Sequence, residues 1–388
     1  MTSHIAPGVG VAFVLASYAP DIPAGMERAT AALVAGLRSI GHRAIIITSG
    51  RRPSPPRGLD PWVVELSSLQ VEFPADDQTL RRAITHASRA IRAEVTAILD
   101  RHQIDLVVYV DALWGLGRVM ADHPARKVLA VHVLGHPDDL TPALATAEVV
   151  IAPSPAVLRQ AQARGISTDG WQVVPNALLH DPPPQTRQQR ERLRRHAPVR
   201  VLARPAANKG VPDLLQALPA HLDRHVQVIL APAPFDVAYG AQQEIIALCE
   251  RHICRNVRVS TRPLPWERVP AWLAEAAVVI VPSHAETFGL VALEAMAGGT
   301  PVVAYDIDNL PDLIGTPHSV GNGARHDGGD SGAGVLVEHS AGPAGLWRAA
   351  LDLVADPVTY LHASWAAYYR SWDFRPAPIA ERFMKAVW

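Results

Sequence analysis

The fold of the chain is decided by one stretch, Ser283-His284-Ala285-Glu286-Thr287-Phe288-Gly289-Leu290-Val291-Ala292-Leu293-Glu294-Ala295-Met296-Ala297-Gly298-Gly299-Thr300-Pro301-Val302-Val303-Ala304. The apolar run just before it, Val278–Val281, predicts a strand that leads into a loop. A helix is expected to begin near Leu290 and to stop at Gly298-Gly299, after which Pro301 opens the next strand. This order of strand, loop, helix and strand predicts a parallel α/β unit.

The loop and the first helical turn of this stretch predict a phosphate-binding site. Gly289 lets the backbone approach a ligand, and the amides of Phe288–Val291 lie at the positive end of the helix. Glu286 precedes this pocket and Glu294 lies inside the helix. Two carboxylates beside a phosphate would repel it unless they bind hydroxyl groups. Because a sugar nucleotide carries hydroxyls on both sides of its diphosphate, the stretch predicts a site for such a molecule.

The same alternation of short apolar runs and amphipathic segments extends outward to both ends of the chain. In the first half, strands are predicted at Val11–Ala16, Ala44–Thr48, Leu106–Val110, Val128–His132, Val149–Ala152 and Gln172–Val174. Helices are predicted at Met26–Ile40, as one long helix through Leu80–Ile98, and at Ser154–Arg164 with Ser154 as its cap. In the second half, strands are predicted at Val199–Ala203, Val226–Ala231, Val257–Ser260, Val278–Val281 and Val302–Ala304, and late helices at Leu346–Ala355, Val358–Tyr369 and Ile379–Val387. Each half is therefore expected to form a doubly wound parallel sheet with helices on both faces.

The stretch Asp181–Pro198 interrupts this alternation. It carries three consecutive prolines and then an arginine-rich run with one leucine, so it cannot bury an apolar face. We interpret it as a linker with a solvated helical piece, and a basic helix on a membrane surface is the alternative. The predicted division is an N-terminal domain over 1–180, a linker over 181–198, a C-terminal domain over 199–370 and a last helix over 371–388. The Gly-, Asp- and His-rich segment His318–Gly334 is predicted to be a mobile loop.

Composition bounds the function. The 388 residues are 48% apolar and 19% charged, which is typical of a globular protein of about two domains. The 36 basic and 37 acidic side chains nearly cancel, which argues against a general binder of nucleic acid or anionic membranes. The chain has two cysteines, no apolar run long enough to span a bilayer and no basic lead typical of a signal peptide. We therefore expect a cytoplasmic protein without stable membrane association.

Two motifs resemble those of the retaining glycosyltransferases of family 4, which have the GT-B fold. The first is Glu286 and Glu294, with seven residues between them, followed by Ala-Met-Ala-Gly-Gly-Thr-Pro-Val-Val. The second is a strand that leads to Arg204 and, after a short loop, Lys209-Gly210, with Ala203 in place of the usual glycine. The resemblance implies two Rossmann-like domains that face a central cleft. The acceptor would bind on the first domain, and a nucleoside diphosphate sugar, preferably a UDP-sugar, on the second.

The resemblance also implies roles for individual residues. Glu294 would bind the nucleotide ribose, and Glu286 the hydroxyls of the donor sugar. Arg204 and Lys209 are predicted to stabilise the leaving diphosphate, and with Glu286 and His132 they form the predicted catalytic set. The donor site would further include Gly25, Arg262, Thr287, Phe288, Gly289 and Leu290. The alternatives are that the two glutamates are incidental residues of a buried helix and that the two cations are ordinary surface residues.

Three further segments carry the resemblance. His132 follows a predicted strand, where the family has a histidine that contacts the donor sugar near the reacting carbon. A structural histidine and a zinc site with His136 are the alternatives. Asn176 matches the family's interdomain asparagine, and Ser371–Phe374 its ending, whose last helix crosses back to the N-terminal domain. The loop Ile307–Asp312 departs from the family, which usually has glycines before Leu-Pro-Glu, and this departure points to an unusual donor sugar.

The acceptor is predicted from the loops that follow the strands of the first domain. They offer aromatic and mainly acidic side chains: Tyr18, Asp21, Glu27, Asp111, Trp114, Asp138 and Asp139. Such a set would suit a soluble, cationic, sugar-like acceptor, for example an aminocyclitol in natural-product (aminoglycoside antibiotic) biosynthesis. The alternative is a set of solvated loop acids.

The predicted reaction is transfer with retention, in which the leaving phosphate accepts the proton of the acceptor hydroxyl. Neither a metal ion nor another cofactor is expected, because no Asp-x-Asp motif follows a strand. A sugar-nucleotide epimerase on the same fold and a non-catalytic sugar-nucleotide-binding protein are the alternatives. The partners would be the nucleotide sugar and a small acceptor, with no nucleic acid, in a monomer or a homodimer.

Overall fold

The computed structural model describes residues 8–18, 24–49, 62–73, 75–110, 113–120, 122–233, 235–236, 240–315 and 332–388. These residues form two larger parallel sheets, one in each half of the chain, and a small sheet between them. The predicted pair of doubly wound sheets is therefore confirmed. Most of the predicted loop His318–Gly334 and the predicted acceptor residues Asp21 and Asp111 lie outside the described residues.

The N-terminal sheet has seven strands: β1 (Gly10–Leu15), β2 (Arg43–Thr48), β3 (Val63–Glu65), β5 (Leu106–Tyr109), β6 (Arg126–Ala130), β7 (Val149–Ala152) and β8 (Gln172–Val173). They lie in the order β3-β2-β1-β5-β6-β7-β8, and all of these pairs are parallel. Val11 and Phe13 of β1 enter one apolar core, whereas Ala12 and Val14 enter another. Because both faces of the sheet are buried, each central strand is a continuous run of apolar residues in the sequence.

The C-terminal sheet has six strands: β9 (Val199–Ala203), β10 (Val226–Leu230), β12 (Val257–Ser260), β13 (Val278–Val281), β14 (Val302–Tyr305) and β15 (Gly334–Val337). Their order is β12-β10-β9-β13-β14-β15, again in parallel. Val278 and Ile280 of β13 face one core, whereas Val279 and Val281 face the other. This central strand delivers the chain to the loop that carries Glu286.

The helices of the first half depart from the prediction in two respects: the helix Pro137–Thr146 was not predicted, and the segment Leu80–Ile98 is divided. These helices are α1 (Gly25–Ser39), α2 (Asp77–His86), α3 (Ser88–His102), α4 (Pro137–Thr146) and α5 (Pro155–Ala163). The prediction of a single long helix through Leu80–Ile98 is wrong, because the helix is interrupted at Ala87. Apolar residues on both sides of the break enter the same core, so the helical periodicity continues through it.

The segment predicted to be a linker contains a helix, α6 (Arg187–His196), that is less solvated than predicted. Arg190 is only 3% exposed. Its guanidinium donates to Thr300 Oγ1 at 2.9 Å, to the Gly299 carbonyl at 3.2 Å and to the Ala274 carbonyl. Burial lowers the pKa of Arg190. The sequence prediction of a solvated helix missed this one contact because it counted only apolar residues, whereas an arginine can be buried where carbonyl and hydroxyl oxygens accept its N–H groups.

The second half contains α7 (Val211–Gln216), α8 (Ala241–Glu250), α9 (Arg268–Ala274), α10 (Leu290–Ala297), α11 (Leu310–Ile314), α12 (Gly342–Ala355), α13 (Pro357–Ser371) and α14 (Pro376–Val387). Although α14 follows the second sheet in sequence, it packs on α1. Phe383 is fully buried there, with its ring centroid 6.0 Å from that of Phe13. A Cβ at Gly36 of α1 would lie 2.2 Å from the Pro376 carbonyl oxygen, so glycine permits this close packing.

The short strands β4 (Ala75–Asp76) and β11 (Phe235–Asp236), which the sequence did not predict, pair in parallel between the two larger sheets. Among the described helices, none combines the length and the apolar content that a bilayer crossing requires.

Candidate functional site

The helix α10 begins at a glycine that its surroundings require. Gly289 has a φ of 101°, in the left-handed region. A Cβ at this position would lie 2.9 Å from Leu313 Cδ2 and 3.0 Å from Leu310 Cδ2. No side chain caps this helix, and the amides of Gly289 and Leu290 lie at its positive end. The geometry therefore agrees with an anion-binding helix start.

Two loops bring Lys209 and Glu286 together near this helix. Lys209 Nζ donates to Glu286 Oε2 at 2.6 Å, and only 15% and 16% of the two side chains is exposed. Gly210 allows the loops to approach, because a Cβ there would lie 2.1 Å from the Pro282 carbonyl oxygen. Its φ of 61° is also in the left-handed region. The Lys-Gly and Glu motifs, far apart in sequence, thus form one site.

Arg204 adds a second positive charge to this site. Its side chain remains open to solvent at the end of β9, while the surrounding protein desolvates the guanidinium and lowers its pKa. The nearby carboxylate of Glu286 acts in the opposite direction and raises that pKa. An arginine stays cationic at neutral pH after such shifts. Two cations and one carboxylate therefore converge here, which leaves one positive charge for an anionic ligand.

Glu294 lies at the contact between the two domains. It is 4% exposed, and its Oε1 lies 3.1 Å from Arg28 Nη1 of α1. Burial raises the pKa of Glu294, whereas Arg28 lowers it. The second oxygen, Oε2, is buried and accepts no hydrogen bond from the residues that the structure describes. It is thus a carboxylate oxygen with capacity for a hydroxyl donor, as ribose binding requires.

Arg28 was not predicted as a site residue. The signal in the sequence was its place three residues after Gly25, at the start of α1, where the family resemblance put a donor-binding loop. Gly25 itself faces the second domain, since a Cβ there would lie 3.3 Å from Leu290 Cδ1. Ser154 makes a further contact across the cleft. Its predicted capping bond is absent, and its hydroxyl instead donates to the Thr287 carbonyl at 2.6 Å.

Comparison with known proteins agrees with this geometry. A family model described as "Glycosyltransferase Family 4" matches residues 23–181, and one described as "Glycosyl transferases group 1" matches residues 199–356. The chain belongs to the group 1 and family 4 glycosyltransferases. Sucrose-phosphate synthase from Thermosynechococcus elongatus shares the fold with a TM-score of 0.73 and 20% identity, over 97% of this chain and 98% of that one. Anabaena HepE in complex with UDP-glucose shares the fold with a TM-score of 0.69 and 17% identity, over 97% of this chain and 98% of that one. This shared architecture confirms the predicted GT-B fold.

Curated relatives match over shorter segments. A D-inositol 3-phosphate glycosyltransferase from Mycobacterium sp. (strain KMS) is 34% identical over 146 residues, which is 37% of this chain and 33% of the relative. One from Corynebacterium diphtheriae is 34% identical over 179 residues, which is 45% of this chain and 38% of the relative. The matched segments thus span about a third of the relatives' length.

In this family 4 glycosyltransferase, His132 lies two residues beyond the end of β6, because the strand is shorter than predicted. It is partly buried and lines a small cavity of about 30 Å³ together with Thr30 of α1 and Asn176. Burial lowers the pKa of His132 to about 4, so the imidazole is neutral at pH 7. Two residues that the resemblance singled out, His132 and Asn176, therefore share one cavity of the N-terminal domain. Within the described ranges, no group of three or more His, Cys, Asp or Glu side chains is placed to hold a metal ion.

The predicted acceptor residues do not form one open surface. Trp114 is 2% exposed, and its indole N–H donates to Asp77 Oδ1 at 2.8 Å. Glu27 is also 2% exposed and accepts a hydrogen bond from the Ser17 hydroxyl. Both side chains thus serve the interior of the domain, which corrects the expectation that they face the acceptor. The error arose because the sequence placed them near strand ends without showing on which side of the loop they point.

The remaining predicted contacts are more exposed. Tyr18 meets Trp266 of the second domain edge to face, with ring centroids 5.9 Å apart. Arg262 is exposed after β12, and its backbone amide donates to Ser260 Oγ at 3.2 Å. Asp138 is exposed at the start of α4, with 83% of its side chain accessible.

Asp138 lies on the rim of a depression of about 800 Å³ that the sequence did not predict. Its charged side chains are mostly basic and come from α2, from the loop after β5 and from the start of α4: Arg81, Arg82, His86, Arg118, His136, Asp138 and Asp139. Asp139 is buried, 2.6 Å from Arg81 Nε and 3.5 Å from Arg118 Nη1. Three arginines thus face two aspartates, so the depression carries excess positive charge.

Proposed function

We propose that this protein transfers a sugar from a nucleoside diphosphate sugar, preferably a UDP-sugar, to a hydroxyl of a small polar acceptor, with retention of the anomeric configuration. The observation that carries the proposal is the convergence of Lys209, Glu286 and Arg204 near the uncapped start of α10. Cations and helix amides fit a diphosphate, and a carboxylate fits sugar hydroxyls.

The donor would lie across the start of α10. The amides of Phe288, Gly289 and Leu290 would hold the diphosphate, with Gly25 and Thr287 close by. Glu294 would accept hydrogen bonds from the ribose, for which its buried Oε2 provides the acceptor. The base would lie toward Arg262. Glu286 would then leave its pairing with Lys209 in part, accept a hydroxyl of the donor sugar and free the lysine for the phosphate.

The chemical step would be assisted by charge. As the bond between the anomeric carbon and the diphosphate oxygen breaks, negative charge grows on the diphosphate, and Arg204 and Lys209 stabilise it. The acceptor hydroxyl attacks from the same face and gives its proton to the leaving phosphate oxygen, which accounts for retention. His132 is neutral at pH 7 and would contact the donor sugar without adding a charge. In this scheme no metal ion or other cofactor takes part.

For the acceptor, we infer a cyclitol or sugar that carries a phosphate. The curated relatives are named D-inositol 3-phosphate glycosyltransferases, and the depression at α2 has the basic charge that a phosphate would need. This departs from the expected cationic acceptor, because Glu27 and Asp139 are buried in internal bonds. Arg82 is exposed on the rim and is the residue best placed to bind the phosphate first.

A thermal-shift screen of the full chain against UDP-, GDP-, ADP- and dTDP-sugars tests the donor. A UDP-sugar is expected to raise the midpoint of unfolding, because a ligand that binds only the folded state stabilises it. With the best donor, product is then sought with a cyclitol phosphate, the free cyclitol and an aminocyclitol, and its anomeric configuration is read by NMR. Isomerised sugar without transfer would instead favour an epimerase. A screen in which no nucleotide sugar raises the midpoint would contradict the proposal.

Arg82→Ala tests the acceptor, with Arg89→Ala on the exposed face of α3 as its matched control. Arg82→Ala is expected to raise the KM for the phosphorylated acceptor about tenfold, as the loss of one charge-assisted hydrogen bond predicts. The KM for the donor should not change. Equal turnover of the aminocyclitol and the cyclitol phosphate, or an effect of Arg89→Ala as large as that of Arg82→Ala, would overturn the phosphate assignment.

A further inference from the structure

The loop that departs from the family's glycines contains an unusual backbone conformation. Asp308 has a φ of 50°, and among the described residues the other non-glycine residue with positive φ is Gln103. Glycine adopts this left-handed region readily, whereas residues with a Cβ do so at a cost, which is smallest for Asn and Asp. A side chain at such a position indicates that its contacts compensate for the cost of the backbone conformation.

The carboxylate and the carbonyl of Asp308 connect the two domains. Oδ2 accepts a hydrogen bond from the backbone amide of Glu286 at 2.8 Å. Oδ1 accepts one from Gln160 Nε2 at 3.2 Å, and the carbonyl oxygen accepts one from Arg159 Nη2 at 2.9 Å. Gln160 and Arg159 belong to α5 of the N-terminal domain, whereas Glu286 belongs to the C-terminal domain. One residue thus bridges the cleft at the loop that carries a predicted catalytic carboxylate.

The neighbouring residue secures the other end of the same loop. Asn309 is 4% exposed, and its Nδ2 donates to the Phe288 carbonyl at 2.8 Å. Glycines at positions 308 and 309 could make neither side-chain bond. Asp308 and Asn309 therefore fix the backbone from Glu286 to Phe288, which runs directly into the helix start at Gly289.

We propose that Asp308 is a positioning residue, which orients Glu286 toward the donor sugar and links that orientation to contact between the two domains. The inference rests on the proposed role of Glu286. With the cleft closed, Gln160 and Arg159 hold Asp308, and Asp308 holds the Glu286 amide. When the domains separate, the two bonds to α5 are lost and the Glu286 loop loses that support. Binding of the donor sugar by Glu286 is thereby coupled to domain closure through the side chain of Asp308, which stands where the family usually has a glycine.

The variant Asp308→Gly distinguishes a role of Asp308 in positioning Glu286 from a role in the stability of the fold. Glycine relieves the left-handed backbone, so the unfolding midpoint should stay the same or rise. Without the carboxylate, kcat/KM is expected to fall about 10- to 100-fold, as the loss of a charge-assisted hydrogen bond predicts. The affinity for the UDP-sugar should weaken, whereas that for UDP, which lacks the sugar, should not change. Asp308→Asn keeps an acceptor oxygen and should recover part of the activity. Asp312→Asn, an exposed carboxyl in the same segment, is the matched control.

Hydrogen exchange of the Glu286 amide provides a readout that does not depend on the reaction. It should be faster in Asp308→Gly than in the wild type and unchanged in Asp312→Asn. Unchanged exchange together with unchanged UDP-sugar affinity in Asp308→Gly would overturn the positioning role. So would a loss of activity that merely follows a lower unfolding midpoint. If the wild type binds no nucleotide sugar but the exchange still differs, the proposed function fails while the role of Asp308 in ordering the loop stands.

Discussion

Glu286 and Glu294 are each paired with a cation, but the two cations come from different domains. Lys209 belongs to the same domain as Glu286, whereas Arg28 reaches Glu294 from α1 of the other domain. Both pairs are largely buried, so each carboxylate would be costly to leave without its partner. A bound donor would replace part of each pairing with hydroxyl and phosphate contacts. At the scale of single residues, each glutamate of the ligand-free site is therefore paired with one cation until a donor takes over part of that pairing.

The different surroundings of Lys209 and Glu294 predict different effects of substitution. Glu294→Ala is expected to weaken UDP binding about tenfold or more, because ribose contacts are present in the ground state. Lys209→Ala should lower kcat more than it changes donor binding, because charge on the diphosphate grows mainly in the transition state. Isothermal titration with UDP and steady-state kinetics measure the two effects. Equal small changes in both variants would contradict the assigned roles.

His132 predicts a pH dependence of stability. In the folded protein the pKa of His132 is about 4, below the ordinary value of 6.5. Between pH 6.5 and pH 4 the imidazole is therefore protonated in the unfolded chain but neutral in the folded chain. Stability should therefore fall as the pH drops from 6.5 toward 4, by about 2 kcal/mol at pH 5. Urea unfolding at pH 7 and pH 5 measures this loss. His132→Gln should show a smaller loss between the two pH values, and an equal loss in both proteins would contradict the prediction.

At the scale of elements, the sequence located the buried strands well and the long-range contacts poorly. Val199–Ala203 and Val278–Val281 have the predicted bounds, because strands buried on both faces are continuous apolar runs. Four strands escaped prediction: β4 and β11 have two residues each, too few to show a periodicity, and β3 and β15 are only partly buried. The contact of Arg28 with Glu294 escaped it for another reason: it depends on how two domains meet, and no local pattern encodes that arrangement.

The helix α6 gives the clearest test at this scale, because one arginine attaches it to the C-terminal domain. Arg190→Ala would leave the Ala274 carbonyl and the Thr300 hydroxyl oxygen without their donor in a buried place, whereas the Gly299 carbonyl would keep the Ser364 hydroxyl as a donor. The free energy of unfolding is expected to fall by about 2–4 kcal/mol. Arg192→Ala, an exposed residue of the same helix, should change it by less than about 0.5 kcal/mol. Urea unfolding measures both, and equal values for the two variants would show that the buried contacts add little.

At the scale of the whole molecule, three kinds of contact join the domains. α14 is anchored in the core beneath β1, the short strands β4 and β11 pair between the sheets, and side chains such as Ser154, Arg159 and Gln160 bridge the cleft, the last two by bonds to Asp308. The first is apolar and extensive, whereas the last consists of a few hydrogen bonds. Opening and closing of the cleft would therefore break the polar contacts and keep α14 in place, because polar contacts exchange readily with water and a packed apolar helix does not.

This difference predicts that α14 controls stability without controlling closure. Phe383→Ala removes a fully buried ring that packs against Phe13, so the free energy of unfolding should fall by about 3–5 kcal/mol. Because that ring belongs to the end of the chain but lies in the N-terminal core, hydrogen exchange should increase in β1 and α1 and not only in α14. Arg382→Ala, its exposed neighbour, is the control. Faster exchange confined to α14 would show that the N-terminal core does not depend on this helix, and the separation of the two roles would be wrong.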